Sequence, residues 1–180
     1  NENNLSLAAK IVQIAQDRGV TITLAEQGKA WQLDEATSLN ILVPASFEQN
    51  NHQTLNGNDA STILWLHHTY GSVLLTGDLG SAKEALLDVG KITVFKAAHH
   101  GSKNSNSTEL LRELQPQITV ISCGADNRYG HPHAEVLSRL QNVGSKILRT
   151  DLHGCIKIVF EEKLRCFAYE QNCFRELQVG

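Results

Sequence analysis

Leu5, Ala8, Ala9, Ile11, Val12 and Ala15 recur at three- and four-residue spacing, which predicts an amphipathic helix over residues 5–18 closed by Gly19. Beyond it the pattern shortens. Residues 20–25, 31–33 and 39–43 read as strands, the last stopped by Pro44. Residues 45–60 hold Asn50, Asn51, Asn56, Gly57 and Asn58 and read as a loop. Residues 62–66 and 72–76 flank Thr69-Tyr70-Gly71, a hairpin pattern. Helices and strands then alternate: helix 81–89 ended by Gly90, strand 92–97, helix 108–115 stopped by Pro116, strand 118–122, helix 134–142 closed by Gly144. Strands over 146–149, 155–160 and 164–169 follow. Hairpins mixed with crossovers predict an α/β layered fold with mixed sheets, and no internal repeat is visible.

The chain has 180 residues, enough for one well-buried domain, and no linker divides it. A net charge of −3 excludes a generally basic nucleic-acid binder, so such a role needs a local patch. No apolar run approaches the roughly 18–20 residues that span a bilayer, and no signal-peptide pattern is present. The sequence contains no methionine and starts at Asn1, so it is expected to be a soluble piece of a longer protein. No G-x-G-x-x-G follows a strand, which excludes a nucleotide cofactor of the Rossmann type. Cys123, Cys155, Cys166 and Cys173 lack the CxxC spacing of a zinc knuckle. The first two lie in apolar surroundings and are expected as small core residues. Cys166 and Cys173 are a candidate disulfide pair in an oxidising compartment.

Chemistry concentrates between Val73 and Ser102. The run Val73-Leu74-Leu75-Thr76-Gly77 ends in Asp78, and Val94-Phe95-Lys96-Ala97-Ala98 ends in His99-His100-Gly101-Ser102. Continuous apolar runs mark buried parallel strands, and ligands gather beyond the ends of such strands. Asp78 alone reads first as the N-cap of the following helix. Two histidines after a second buried strand favour a shared crevice, because a carboxylate and imidazoles there are the ingredients of a metal site. Gly101 permits a sharp turn, and Ser102, Lys103 and Ser105 offer donors to a phosphate oxygen. A second cluster, Asp126-Asn127-Arg128-Tyr129-Gly130-His131-Pro132-His133, follows the strand over 118–122. It is either a plain loop before a helix or brings His131 into the same crevice, to bind phosphate or protonate a leaving group, with Arg128 adding charge. His52, His67 and His68 read as surface residues and His153 as part of a turn. Asp151 either orients a ligand histidine or holds that turn.

Leu75-Thr76-Gly77-Asp78, Lys96-Ala97-Ala98-His99-His100-Gly101-Ser102-Lys103-Asn104-Ser105, Arg128-Tyr129-Gly130-His131-Pro132-His133 and Arg149-Thr150-Asp151-Leu152-His153-Gly154, in this order, resemble the signature of ComEC-type DNA-internalisation (competence) proteins. The likeness is to the C-terminal metallo-β-lactamase-like domain of that family and is clearest over residues 58–160. It implies a four-layer αββα sandwich over 1–180 with two divalent metal ions, zinc or manganese. By family pattern Asp78 bridges the metals, His100 ligates one, His99 lies near the substrate phosphate, and His131 lines the cleft. The implied partners are DNA and a membrane-channel domain of the same protein, on the extracytoplasmic face of an inner or plasma membrane. The His-x-His-x-Asp-His motif of the superfamily is absent from these residues and is expected upstream of Asn1. Asn58-Asp59-Ala60-Ser61 stands where an intermediate metal histidine is usual.

The expected activity, in the intact protein and not in these 180 residues alone, is metal-dependent phosphodiester hydrolysis, degrading the DNA strand that is not imported. Asp78, His99 and His131 are its catalytic candidates, Asp78 and His100 its metal ligands, and Ser102, Lys103, Ser105 and Arg128 its substrate contacts. One alternative is a decayed module that grips DNA through Lys96, Lys103, Arg128, Lys146 and Arg149 and tolerates EDTA. Another is a hydrolase of small phosphoesters, since fold and metal set do not fix the substrate.

Overall fold

The structure is a computed structural model that describes residues 6–23, 25–26, 28–42, 58, 61–170 and 172–178, leaving aside the side chains of Ala8 and Glu170. Its first element, α1 (Leu7–Asp17), starts where the Ser6 hydroxyl accepts the Ala9 N–H at 3.3 Å. Seven strands form one sheet in sequential order: β1 (Ala30–Gln32), β2 (Thr37–Leu42), β3 (Ile63–His68), β4 (Gly71–Leu75), β5 (Val94–Lys96), β6 (Ile118–Ile121) and β7 (Lys146–Arg149). The first four pair antiparallel and β4 to β7 pair parallel. The parallel crossovers carry α2 (Ser81–Glu84), a 3₁₀ turn at Ala98–Gly101 with α3 (Thr108–Leu114), and α4 (Ala134–Asn142). One helical turn, α5 (Thr150–His153), leads into a three-stranded antiparallel sheet ordered β10 (Cys173–Leu177), β9 (Arg165–Glu170), β8 (Ile156–Val159).

The two-residue period of a strand sorts side chains onto the two faces of the large sheet. Leu74, Phe95 and Ile121 pack with Leu110, Leu111, Leu114, Val136 and Leu140 of α3 and α4. Their neighbours Val73, Val94 and Val120 point the other way and pack, with Ile118 and Leu148, against Ile156, Ile158, Cys166 and Leu177. Full burial of a side chain such as Phe95 contributes about 1.5–3 kcal/mol. Helix, sheet and sheet thus form three successive layers of the expected αββα sandwich. The α/β class with mixed sheets is as the pattern predicts.

Several elements differ from expectation. Residues 20–23 and 25 form no strand, and Val20 and Ile22 stay exposed, with no ladder partner among the described residues. Helix 81–89 contracts to Ser81–Glu84, where Glu84 turns inward and is buried. Strand β10, which the pattern did not predict, pairs Leu177 with Cys166 and Cys173 with Glu170. Cys166 and Cys173 therefore sit four register positions apart, roughly 13 Å along the strands, and form no disulfide. Cys155 is exposed rather than in the core. His52 and most of the 45–60 loop lie outside the described residues.

Candidate functional site at the strand ends

Register places Leu75 beside Lys96, Lys96 beside Val120, and Ile121 beside Arg149. The carboxyl ends of four parallel strands therefore lie level, and residues 76–80, 97–107, 122–133 and 150–155 leave the sheet along one edge. Asp78 follows β4, His99 and His100 follow β5, His131 follows β6, and Asp151 follows β7. The turns that carry these residues therefore share one edge of the sheet.

Asp78 is not a helix cap: Gly80 occupies that position for α2, while the Asp78 N–H donates to the Ser61 hydroxyl at 3.0 Å. The Lys96 ammonium, at the end of the adjacent strand, donates to the Ala97 carbonyl at 2.9 Å. Burial pulls the Lys96 pKa down, and the nearby Asp78 charge opposes that pull.

His99 (φ 48°, ψ 45°) and His100 (φ 55°, ψ 22°) both adopt the left-handed region. Histidine enters it more readily than most residues, yet each such residue costs about 1–3 kcal/mol unless its surroundings fix it. The fixing contacts are specific. The His99 N–H donates to Gly77 at 3.0 Å, tying this turn to the Asp78 turn, and the Gly101 carbonyl accepts the His133 N–H at 3.0 Å. A Cβ on Gly101 (φ +84°) would stand 2.6 Å from Pro132, so only glycine fits. Arg139 of α4 donates to the carbonyls of Ser105 and Asn106 at 3.3 Å.

The His131 ring stacks with Tyr129 at 5.7 Å and lies 5.7 Å from His99, 6.5 Å from His100 and 5.0 Å from His133. Burial first, then the adjoining His133, His99 and His100, lower its pKa from the usual 6.5, with Asp78 opposing. Asn127 shapes its loop, accepting the His131 N–H at 3.0 Å and donating to the His131 carbonyl at 2.6 Å. A cleft of about 210 Å³ opens between His100, Cys123, Gly124, Asn127, Tyr129 and His131. His100 Nδ1 lies 2.6 Å from the Ser122 carbonyl oxygen.

These motifs recur in known proteins. The chain is 33% identical to ComE operon protein 3 of Bacillus subtilis over 88% of its length, which is 20% of that protein. It is 32% identical to Recombination protein 2 of Haemophilus influenzae over 77% of its length, and 35% identical to Competence protein ComA of Neisseria gonorrhoeae over 71%. The chain belongs to the ComEC-type competence protein family. It spans about a fifth of the length of these relatives. No protein-family model matches. Among solved structures, a candidate metal-dependent hydrolase from Parabacteroides distasonis superposes with a TM-score of 0.47 at 14% identity, covering 77% of this chain and 61% of that one.

In this ComEC-type chain the remaining predicted site residues divide. Lys103 and Arg128 are exposed beside the crevice, and Arg128 packs over the Tyr129 ring at 4.8 Å. Ser102 and Ser105 are buried, contrary to a role as phosphate donors. The Ser105 hydroxyl donates to the Leu79 carbonyl at 2.7 Å, and Ser102 Oγ accepts the Asn104 N–H at 3.3 Å, so both brace the loop from within. Asp151 pairs with Arg149 and accepts the Cys123 thiol proton at 3.2 Å, which makes it a holder of the β7 turn. His67 and His68 lie on β3, His67 packed on Trp65. Among the described residues no three His, Cys, Asp or Glu side chains converge as a metal site would require. Asp78 and His100 therefore do not complete such a site by themselves, and Asp59 lies outside the described residues. Tyr129, Cys123 and Asn127 were not expected as cleft residues, although Asn127 and Tyr129 lie in the second cluster. The Gly130 N–H donates to the Asn127 carbonyl at 3.1 Å and closes a turn there.

Proposed function

We propose that this chain is the hydrolase part of a competence protein and cleaves phosphodiester bonds of the DNA strand that is not imported. The observation that carries this reading is that Asp78, His99, His100 and His131 all follow adjacent parallel strands at one edge of the sheet, with the His131 ring 5.7 Å from His99 and 6.5 Å from His100. Competence relatives supply the biological setting, and DNA is the substrate that setting favours.

Asp78 offers a carboxylate not consumed by capping, and His100 offers Nε2, because its Nδ1 proton is engaged by a carbonyl. These are two donors toward a pair of divalent ions, zinc or manganese, whose other ligands belong to residues beyond those described. Such ions supply polarisation of a phosphoryl oxygen and activation of water. His131 takes up the proton that the attacking water releases and passes it to the leaving oxygen, and His99 contacts the phosphate beside it. Lys103 and Arg128, exposed at the rim, steer and hold the DNA backbone. The domain works beside a membrane-channel domain of the same protein, on the extracytoplasmic face. No helix among the described residues is long and apolar enough to cross a membrane.

Elemental analysis tests the metal half of the proposal. The full-length protein should hold about two divalent ions per chain, with loss in Asp78→Ala and in His100→Ala. Metal-free wild type that still binds DNA in EDTA would replace this reading with a non-catalytic DNA-binding module.

A further inference from the structure

The two left-handed histidines need something to hold them, and a buried polar pair supplies it. Asn106 is fully buried and itself left-handed (φ 61°). Its side-chain amide closes the loop across eight residues. Oδ1 accepts the Ala98 N–H at 2.9 Å, while Nδ2 donates to the Ala98 carbonyl at 3.0 Å and to the Ser102 carbonyl at 3.3 Å. Ala98 precedes His99 and Ser102 follows Gly101, so one amide group grips both ends of the histidine turn. Asn106 is gripped in turn. The carboxyl group of Glu84, 1% exposed, accepts the Asn106 N–H at 2.5 Å and the Ser107 N–H at 2.8 Å. Ser107 is the N-cap of α3, whose hydroxyl accepts the Leu110 N–H at 3.3 Å, so Glu84 anchors the clamp to that helix.

We infer that Asn106, oriented by Glu84, is the positioning residue that holds His99 and His100 in their strained turn and aims both imidazoles into the crevice. This rests on the crevice being the reaction site, but the geometric part stands independently. The chemistry suits the task. Only an amide offers an acceptor and two donors in one plane, which matches the N–H and two carbonyls present here. Aspartate would set an oxygen against two carbonyl oxygens. Glutamine at 84 would turn one acceptor into a donor facing an N–H.

The test compares Asn106→Gly, Asn106→Asp and Glu84→Gln with the wild type in the full chain. Glycine accepts the left-handed backbone and removes only the amide clamp. The first readout is the imidazole ¹⁵N spectrum, which reports the His100 Nδ1 proton bonded to Ser122. The second is DNA hydrolysis, where displaced histidines should lower kcat by about 10²-fold with little change in KM. Val136→Ala, in the core under α4, is the control that loses stability while leaving both readouts unchanged below its unfolding temperature. A loss of the His100 tautomer signal in Asn106→Gly supports the clamp. Unchanged imidazole resonances in a folded Asn106→Gly overturn it. If all three variants fail to fold, hydrogen exchange in the wild type decides. Asn106 side-chain amide protons exchanging as slowly as core amides support the clamp, and rapid exchange overturns it. A wild type without hydrolysis would refute the functional reading alone, since the spectra still answer the positional question.

Discussion

His100 Nδ1 sits 2.6 Å from the carbonyl oxygen of Ser122, at the end of the neighbouring strand. A carbonyl oxygen only accepts, so the ring proton is on Nδ1 and the lone pair on Nε2. The expected ¹⁵N spectrum of the neutral protein shows His100 in the Nδ1–H tautomer, with the Nε2 resonance moving when zinc is added. An Nε2–H tautomer would remove His100 from the ligand set.

Gly101→Ala forces a Cβ to within 2.6 Å of Pro132 at a φ of +84°. The combined strain and overpacking should cost about 2–4 kcal/mol. Thermal unfolding should show a clear fall in Tm, and a variant as stable as wild type would mean that the turn packs otherwise.

Asp151 is held below the usual carboxylate range chiefly by its hydrogen bond with Arg149, which outweighs the opposing effect of burial. Its folded-state pKa thus lies under its unfolded value near 3.8. The contribution to stability is complete above about pH 4 and is lost as pH falls through the folded value. Asp151→Asn should destabilise the protein by about 1–2 kcal/mol at pH 7, and its disadvantage should shrink in acid. Denaturant titrations at pH 7 and pH 3 read this directly. An equal deficit at both would assign the loss to packing.

Thiol reactivity separates the cysteines. Cys155 and Cys173 are exposed, Cys166 is buried, and burial together with Asp151 pushes the Cys123 thiol up. With an aromatic disulfide reagent at pH 8, two thiols should react fast and two slowly, and all four should be reduced after purification. A Cys166–Cys173 disulfide in a peptide map would contradict the β9–β10 register.

Helices α3 and α4 of the parallel half were legible because their ends are written locally. Ser107 caps α3, Gln115 ends it left-handed before Pro116, and Gly144 closes the turn after α4. The strand-end positions of Asp78, His99 and His100 were legible for a related reason, since each follows an apolar run that reads as a buried strand, whereas the sequence left His131 open between a plain loop and the crevice. What escaped depends on distant partners. Strand β10 alternates exposed Cys173, Phe174, Arg175 and Glu176 without an apolar run, and exists by pairing with β9. Glu84 reads as a solvated charge beside Lys83 until α3 brings the Ser107 N–H to it, 23 residues away. Ser105 looked like a phosphate donor because nothing local shows that Leu79 takes its proton.

Lys103 and Arg128 carry the rim charge. Replacing either with alanine should weaken DNA binding alike for all sequences and reduce the salt dependence of log K by about one unit. Anisotropy titrations across salt concentrations check this, and an unchanged slope would put the DNA elsewhere.

The most direct test of the central claim is cleavage of labelled single-stranded and duplex DNA by the full-length protein, with Asp78→Ala and His131→Ala in parallel. The account predicts cleavage that EDTA abolishes and zinc or manganese restores, near-complete loss in Asp78→Ala, and a fall of about 10²-fold or more in His131→Ala. Cleavage that survives EDTA and both substitutions, or none by a metal-loaded wild type, would contradict it.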